Sequence, residues 1–306
     1  MAGTTGFTRR RAVRALLAGI AAGACTAPGS EPATVAAAHH PAAQPPSAPH
    51  RDSFAERVHV GFCGAPGSAA LGRMTGDLTA AAAALRHQIA AFPRPPVTPV
   101  VELIATTAHA SPGPDRRYRS RATDQVVRTY LDQARALKGL LLLDIQPGAA
   151  DFLDEARAYE RWLCEPDVGL ALDPEWAVEP GVVPGRKFGH VTGAELDGVA
   201  RYLSDLARER QLPAKAMIYH QLTASVIRRE EDLREHPGVT AVKVVDGIGG
   251  PAAKKATWKN VMATKPAHVA PGFKLFFTED TRHGEPLMTP EEVMALTPTP
   301  AYVVYE

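Results

Sequence analysis

The amino-acid sequence predicts an α/β protein, a (β/α)8 TIM-like barrel that lacks its final helix and follows a signal peptide and a linker. Short apolar runs alternate with amphipathic stretches from residue 57 onward. The alternation gives eight strands and seven intervening helices, as in a barrel of parallel strands. Polar residues follow the later strands, and active sites of such barrels lie at that end.

Residues 1–25 have the features of a secretory signal peptide. Thr8-Arg9-Arg10-Arg11 precedes an apolar run, 12–24, that is too short to span a bilayer. The arginines resemble a twin-arginine export signal. Ala22-Gly23-Ala24-Cys25 resembles a bacterial lipobox, so we expect Cys25 to carry a lipid that anchors the protein at the outer face of the cytoplasmic membrane or cell wall. Cleavage near Ala24 by an ordinary signal peptidase is the alternative.

Residues 26–56 are rich in Ala, Pro, Ser and His and predict a flexible linker. Residues 57–306, about 250 in number, suffice for one domain with a substantial core. The chain of 306 residues is 45% hydrophobic and 22% charged, with a net charge of +1 and scattered basic residues. This composition gives no reason to expect nucleic acid. We expect a monomer without a cofactor, and no disulfide between Cys63 and Cys164, because the barrel places them at opposite ends.

Eight apolar runs bounded by turn residues predict the strands. They cover residues 58–63, 99–104, 139–144, 168–176, 214–220, 240–246, 273–278 and 301–305. The fourth run lies between Pro166 and Pro174 and delivers Asp173 and Glu175, two residues apart. Because side chains alternate along a strand, both carboxylates would project toward the same side.

Apolar residues at helical spacing predict the helices between these strands. The helices cover residues 69–92, 122–137, 151–163, 192–206, 223–235 and 251–263, and a seventh begins at Thr289-Pro290. Thr192 with Glu195 forms a capping-box signature, and proline suits a first helical position. The groove of the missing eighth helix would be covered by the linker or a partner, or left open. A doubly wound open sheet is the alternative fold, although no glycine-rich phosphate loop follows the first strand.

Polar residues recur where the later strands end, and they are the candidates for a functional site. They are Asp144, Gln146, Asp173, Glu175, Trp176, His220, Gln221, Asp246 and Glu279, with Tyr219, Lys243, Asp280, Tyr305 and Glu306 close by. Structural roles are open for several of them. Asp144 would cap the loop to the next helix, Asp173 would bind backbone amides, and Asp246 would turn the chain.

Glycoside hydrolysis needs two carboxyl groups, one protonated as general acid and one ionised as nucleophile or base. Clustered acids supply both, because like charges raise one pKa. We expect Glu175 to be the acid and Asp173 or Glu279 its partner, while Asp144, Gln146, Trp176, His220, Gln221 and Asp246 bind a carbohydrate substrate. The alternatives are a non-catalytic glycan-binding or wall-binding lipoprotein and a metal-dependent hydrolase. No HxH or HExxH spacing is present, so we expect no metal.

A glutamate after the fourth strand and another after the seventh, here Glu175 and Glu279, resemble the large clan of barrel glycosidases. The resemblance implies that Glu175 is the acid/base and Glu279 the nucleophile, although Pro174 stands where the clan has asparagine. The Asp-x-Glu spacing also resembles chitinase-like and lysozyme-like barrels, without their fuller Asp-rich motif. The stretches 143–148, 171–176, 220–221 and 246–247 together resemble a family of uncharacterised actinobacterial exported lipoproteins, over nearly the whole domain.

Overall fold

The eight predicted strands form a closed parallel barrel. The computed structural model describes residues 57–93 and 96–306; the predicted signal peptide, Cys25 and the linker lie outside these residues. The barrel strands are β1 (Val58–Gly64), β2 (Val97–Ala108), β4 (Leu140–Ile145), β5 (Val168–Leu172), β7 (Lys215–Gln221), β9 (Val239–Val245), β10 (Ala270–Leu275) and β11 (Tyr302–Tyr305). Strand β1 pairs with both β2 and β11, which closes the sheet. The barrel prediction is confirmed, and the open doubly wound sheet is excluded.

Three short strands lie outside the barrel. Strand β3 (Arg119–Arg121) pairs antiparallel with the end of β2, and β6 (Val191–Thr192) pairs with β8 (Ile227–Arg228). Both pairs belong to connections that follow barrel strands in the chain. They therefore shape the loops at the carboxyl end of the barrel.

Helices connect most of the strands, as predicted. They are α1 (Leu78–Ala90), α2 (Asp124–Ala136), α3 (Phe152–Ala158), α4 (Glu160–Leu163), α5 (Gly193–Arg210), α6 (Pro251–Met262) and α7 (Pro290–Met294). The predicted capping box is confirmed at Thr192, and the helix predicted to begin at Thr289 has one as well; each hydroxyl accepts a hydrogen bond from the N–H of the third residue of the helix. No helix of the described residues is long and apolar enough to cross a membrane.

Three predicted helices differ from the structure. The helix predicted over 69–92 begins only at Leu78, because Gly72 and Gly76 adopt positive φ angles of 112° and 62°. The helix predicted over 151–163 is broken at Tyr159 into α3 and α4. The helix predicted over 223–235 is wrong: that segment contains two 3₁₀ turns and β8.

The segment 223–235 fails to form a helix because Glu230 turns into the protein. Arg229 adopts a left-handed conformation with φ of 50°, and Glu230 is buried. Its carboxylate accepts hydrogen bonds from Tyr219 at 2.8 Å and from Lys243 at 2.7 Å. The backbone leaves the helical conformation at Arg229 so that Glu230 can reach these partners, and the buried network therefore competes with helix formation.

The groove of the missing eighth helix is filled by side chains of the described chain. Tyr305 of β11 stacks on Phe277 with ring centroids 5.3 Å apart, and both rings contact Phe62 of β1 edge to face. Val60 and Val303 on the same outer face belong to the main hydrophobic core. Aromatic packing therefore covers this face.

The two cysteines of the domain are both free. Cys63 is buried at the carboxyl end of β1, whereas Cys164 directly follows α4 and precedes β5. The chain thus places them at opposite ends of the barrel, as the sequence predicts.

Candidate functional site

A ring of polar side chains fills the barrel interior at the carboxyl ends of the strands. Because side chains alternate along a strand, a residue two positions beyond an inward apolar one also faces inward. Leu142 and Ile218 belong to the apolar inner layer, and Asp144 and His220 follow them by two positions. Each barrel strand, or the position directly after it, contributes one member of this polar ring, which consists of Cys63, Glu102, Asp144, Asp173, His220, Asp246, Lys274 and Glu306.

Two basic side chains lie among the five carboxyl groups of the polar ring. Lys274 Nζ lies 2.6 Å from Glu306 Oε2. His220 lies between two carboxylates, with Nε2 3.6 Å from Glu102 Oε1 and Nδ1 3.8 Å from Asp246 Oδ2. These two separations are longer than hydrogen bonds. The ring therefore contains more acidic groups than basic groups to neutralise them.

Asp144 and Asp173 have no cationic partner within hydrogen-bond range among the described residues. Neither oxygen of Asp144 accepts a hydrogen bond, although the side chain is fully buried. Asp173 Oδ2 accepts a hydrogen bond of 3.2 Å from Gln146, whose own amide oxygen is held by the backbone N–H of Ala108 at 3.2 Å. Gln146 therefore orients Asp173 and leaves its Oδ1 without a partner.

Glu175 reaches the site from a turn and not from a strand. Strand β5 ends at Leu172, and the residues Pro174–Trp176 form a 3₁₀ turn. The predicted extension of the strand through Glu175 is therefore wrong, because proline at the first turn position directs the chain out of the sheet. Gly189 N–H donates to the Glu175 carbonyl at 2.7 Å, which holds the turn in place.

A cavity of about 180 Å³ lies over the polar ring. Its polar lining includes Gln146, Asp173, Glu175, Asp246, Lys274 and Glu306, and its apolar lining includes Ile104, Trp176, Phe188, Ile248 and Phe276. A small apolar pocket with a few convergent polar groups is the usual form of a ligand site. The closed barrel thus positions one pocket in which Asp173 and Glu175 are both present.

Burial raises the pKa values of the acids around this cavity. Burial, and then the negative charge of Asp173, raise the pKa of Glu175 well above its ordinary value. Burial also raises the pKa of Asp173, and raises that of Asp246 to about 6. The charges of His220 and Lys274 oppose the rise in the pKa of Asp173, whereas the charge of Asp173 adds to the rise at Glu175, so Glu175 is the carboxyl group better suited to hold a proton.

The basic side chains of the ring are charged despite their burial. Burial opposes protonation of His220, but the carboxylate of Glu102 raises its pKa to about 9. Conversely, burial opposes ionisation of Glu102, but His220 lowers its pKa. Burial likewise opposes protonation of Lys274, and the charge of Glu306 raises its pKa well above the ordinary value.

Glu279 lines the rim of the cavity. Its side chain is partly exposed and accepts a hydrogen bond of 3.4 Å from Arg282. Arg282 and His283 also line the cavity and are exposed. Glu279 is therefore the more solvated candidate partner for Glu175, and Asp173 is the buried one.

Other predicted candidates lie away from the cavity. Asp144 and His220 lie in the polar ring but do not line the cavity. Gln221 is buried outside the ring, where its amide donates to the Thr223 carbonyl at 3.2 Å. Asp280 is paired with Lys254 at 2.9 Å and accepts from two backbone N–H groups, so it holds loops together.

Sequence reasoning missed Glu102 and Lys274, because both lie within strands and not after them. Glu102 is the one charged residue in the apolar stretch 100–104, and Lys274 stands between Phe273 and Leu275. A single charge inside an apolar strand of a barrel was the available signal. Both side chains are buried in the polar ring.

Comparison with known proteins returned no match, either among protein-family models or among curated proteins. The fold and the site alone define the class of this protein. It is a TIM-like barrel with clustered acidic residues, an arrangement compatible with a hydrolase.

Proposed function

We propose that this protein is a glycoside hydrolase that acts on a glycan of the cell envelope or its surroundings. The observation that carries the proposal is that Asp173 and Glu175 line the same cavity, both buried and each with one oxygen that lacks a hydrogen-bond partner. Two carboxyl groups with different proton affinities are what glycosidic cleavage requires.

Glu175 would act as the general acid. Its raised pKa keeps the carboxyl group protonated, so it can donate a proton to the glycosidic oxygen as the bond to the sugar breaks. The departing alcohol takes that proton and the sugar carbon takes the oxygen of a water molecule.

Asp173 would be the ionised partner, either as a nucleophile or as the base that deprotonates the attacking water. Gln146 binds one of its oxygens at 3.2 Å and leaves the other available. The charges of His220 and Lys274 favour its ionised form, although burial has the larger, opposite effect. Trp176 and Phe188 in the cavity lining are surfaces for the face of a sugar ring.

The cavity is large enough for only a small part of a glycan substrate. Its volume of about 180 Å³ lies below the roughly 300–1,000 Å³ typical of sites for drug-sized ligands. We therefore expect a terminal sugar residue, and not the middle of a chain, to occupy it.

The test uses Glu175→Gln with substrates that differ in their leaving group. Loss of the general acid should lower turnover of glycosides with poor leaving groups by about 10²–10⁴-fold. Glycosides with an activated phenolic leaving group, which departs without a proton, should be much less affected. Binding of the substrate should be retained. Equal hydrolysis of all substrates by Glu175→Gln and the unmodified protein would refute the acid role.

A metal-dependent hydrolase is the second candidate, because Asp173, His220 and Asp246 can each offer one ligand atom within 4.8 Å of the others. In that mechanism Glu175→Gln would affect activated and unactivated substrates alike. Non-catalytic glycan binding would instead give ligand binding with no turnover in any variant.

We also propose that the protein is exported and anchored through a lipid on Cys25, as the N-terminal sequence suggests. Labelling with a fatty-acid analogue should mark the mature protein, and Cys25→Ser should abolish both the label and retention in the membrane fraction. Unchanged membrane retention in Cys25→Ser would contradict the anchor.

A further inference from the structure

Three neighbouring members of the polar ring have polar atoms that no hydrogen bond satisfies. Asp144 is the only carboxylate of the described residues with both oxygens buried and without a hydrogen-bond partner. Glu102 Oε1 and His220 Nε2 also lack hydrogen-bond partners, although they lie 3.6 Å from each other, and all three side chains are fully buried. Leaving polar atoms without hydrogen bonds in a protein interior is costly, so such a group points to a ligand.

The distances between these groups suit a metal ion better than a hydrogen bond. One ligand atom from each of the three residues lies within 4.8 Å of the others. His220 Nε2 and Glu102 Oε1 are 3.6 Å apart. Two ligands bonded at roughly 2.0–2.2 Å to one tetrahedral ion are themselves about 3.3–3.6 Å apart. The observed separation of 3.6 Å is therefore close to the distance between two ligand atoms of one tetrahedral ion.

Neighbouring side chains orient these potential ligands. Tyr302 O–H donates to Glu102 Oε2 at 2.8 Å, which leaves Oε1 directed toward His220. On its other side, His220 Nδ1 lies 3.8 Å from Asp246 Oδ2. A histidine that binds a metal through one nitrogen commonly directs the other toward a carboxylate. Asp246 is in the right place to be that outer carboxylate.

We infer that Glu102, Asp144 and His220 form a binding site for one divalent transition-metal ion beneath the floor of the cavity. One imidazole and two carboxylates suit Zn²⁺ or Mn²⁺, whereas Ca²⁺ and Mg²⁺ prefer all-oxygen ligands. His220 would bind the ion in its neutral form, so the ion would supply the positive charge beside Glu102 and Asp144 in place of the imidazolium. The site is independent of the proposed hydrolase, because it uses neither Glu175 nor Asp173.

A competing group shares His220. Asp173, His220 and Asp246 also have ligand atoms within 4.8 Å of one another. Asp173, however, already accepts a hydrogen bond from Gln146, whereas Asp144 accepts none. The group of Glu102, Asp144 and His220 therefore has more buried carboxylate oxygens without a hydrogen-bond partner, and it is the stronger candidate to bind a cation.

The experiment measures metal binding by the full chain and does not depend on turnover. Protein stripped with a chelator is titrated with Zn²⁺ by calorimetry, and its metal content is determined by mass spectrometry after desalting. The variants are Asp144→Asn and Asp173→Asn, which are matched in chemistry. A double variant, His39→Ala with His40→Ala, controls for binding by the histidine pair of the predicted linker.

We expect one equivalent of Zn²⁺ in the unmodified protein, in Asp173→Asn and in the double-histidine variant. Asp144→Asn should weaken binding by about 100-fold or more, because it removes a ligand and even outer partners are worth 10–100-fold. Three results would overturn the site: no bound metal in the unmodified protein, loss of the metal in the double-histidine variant, or its loss in Asp173→Asn but not in Asp144→Asn.

A spectroscopic measurement on the unmodified protein covers the case in which Asp144→Asn does not fold. Co²⁺ bound by nitrogen and oxygen ligands should give visible d–d bands without a thiolate charge-transfer band. A thiolate band would place the ion at a cysteine such as Cys63, which lies in the same polar ring, and would contradict the inference.

Discussion

Lys274 Nζ lies 2.6 Å from Glu306 Oε2, and this buried ion pair links β10 to the residue that follows β11. Cys63 also lies beside the same carboxylate oxygen, with Sγ 3.4 Å away. Burial opposes protonation of Lys274, but Glu306, Cys63, Asp173 and Glu102 together raise its pKa well above the ordinary value. The lysine therefore supplies a fixed positive charge at the wall of the cavity.

Replacing Lys274 with methionine should destabilise the protein strongly. The substitution keeps most of the length of the side chain but leaves Glu306 buried without its cation, which typically costs about 3–5 kcal/mol. The free energy of unfolding in urea measures the loss. Arg208→Met, at an exposed ion pair with Asp205, is the control and should change stability by less than about 1 kcal/mol. Equal effects of the two substitutions would show that burial of the pair is unimportant.

The activity of the proposed hydrolase should depend on pH in a bell shape. Turnover rises with pH as Asp173 ionises and falls as Glu175 loses its proton. Burial raises both pKa values, so the optimum should lie above the ordinary titration range of carboxyl groups near pH 4.

Asp173→Asn tests the coupling between these two carboxyl groups. The charge of Asp173 raises the pKa of Glu175, so its removal should move the alkaline limb of the residual activity to lower pH. The measurement is kcat/KM as a function of pH for both proteins. An alkaline limb at an unchanged pH would mean that another group controls it.

The barrel was predictable from the sequence, whereas the full membership of the polar ring was not. Eight apolar runs alternate with amphipathic segments, and local periodicity is enough to recover this pattern. Asp144, Asp173, His220 and Asp246 lie where predicted strands end, so they were predicted as site residues. Their burial and mutual contacts follow from closure of the barrel, which the local pattern does not describe.

Site residues were predicted only at the ends of strands, and this explains the residues that were missed. Glu102 lies inside the second predicted strand and Lys274 inside the seventh, as both do in the observed β2 and β10. Glu102 and Lys274 were therefore treated as parts of apolar strands. Only the inward register, which depends on pairing with neighbouring strands, shows that both side chains enter the ring.

His59 should make the protein sensitive to mild acid. Burial lowers the pKa of this fully buried histidine from 6.5 to about 4. The unfolded chain therefore binds more protons than the folded one as the pH falls from 6.5 to about 4, and stability is lost over that range. His59→Gln should show a smaller loss over the same window. The difference in unfolding free energy between the two proteins, measured at several pH values, should shrink on acidification, and a constant difference would contradict the assignment.

Glu230 should contribute more to stability than its neighbour Glu231, although the sequence places both on one predicted helix. Glu230 is buried and binds Tyr219, Lys243 and Thr264, whereas Glu231 is exposed. Glu230→Gln keeps the shape but removes the charge opposite a buried lysine, which should cost about 3–5 kcal/mol. Glu231→Gln should change stability by less than about 0.5 kcal/mol. Urea unfolding of the two variants makes the comparison; similar losses would contradict the stabilising role of the buried network around Glu230.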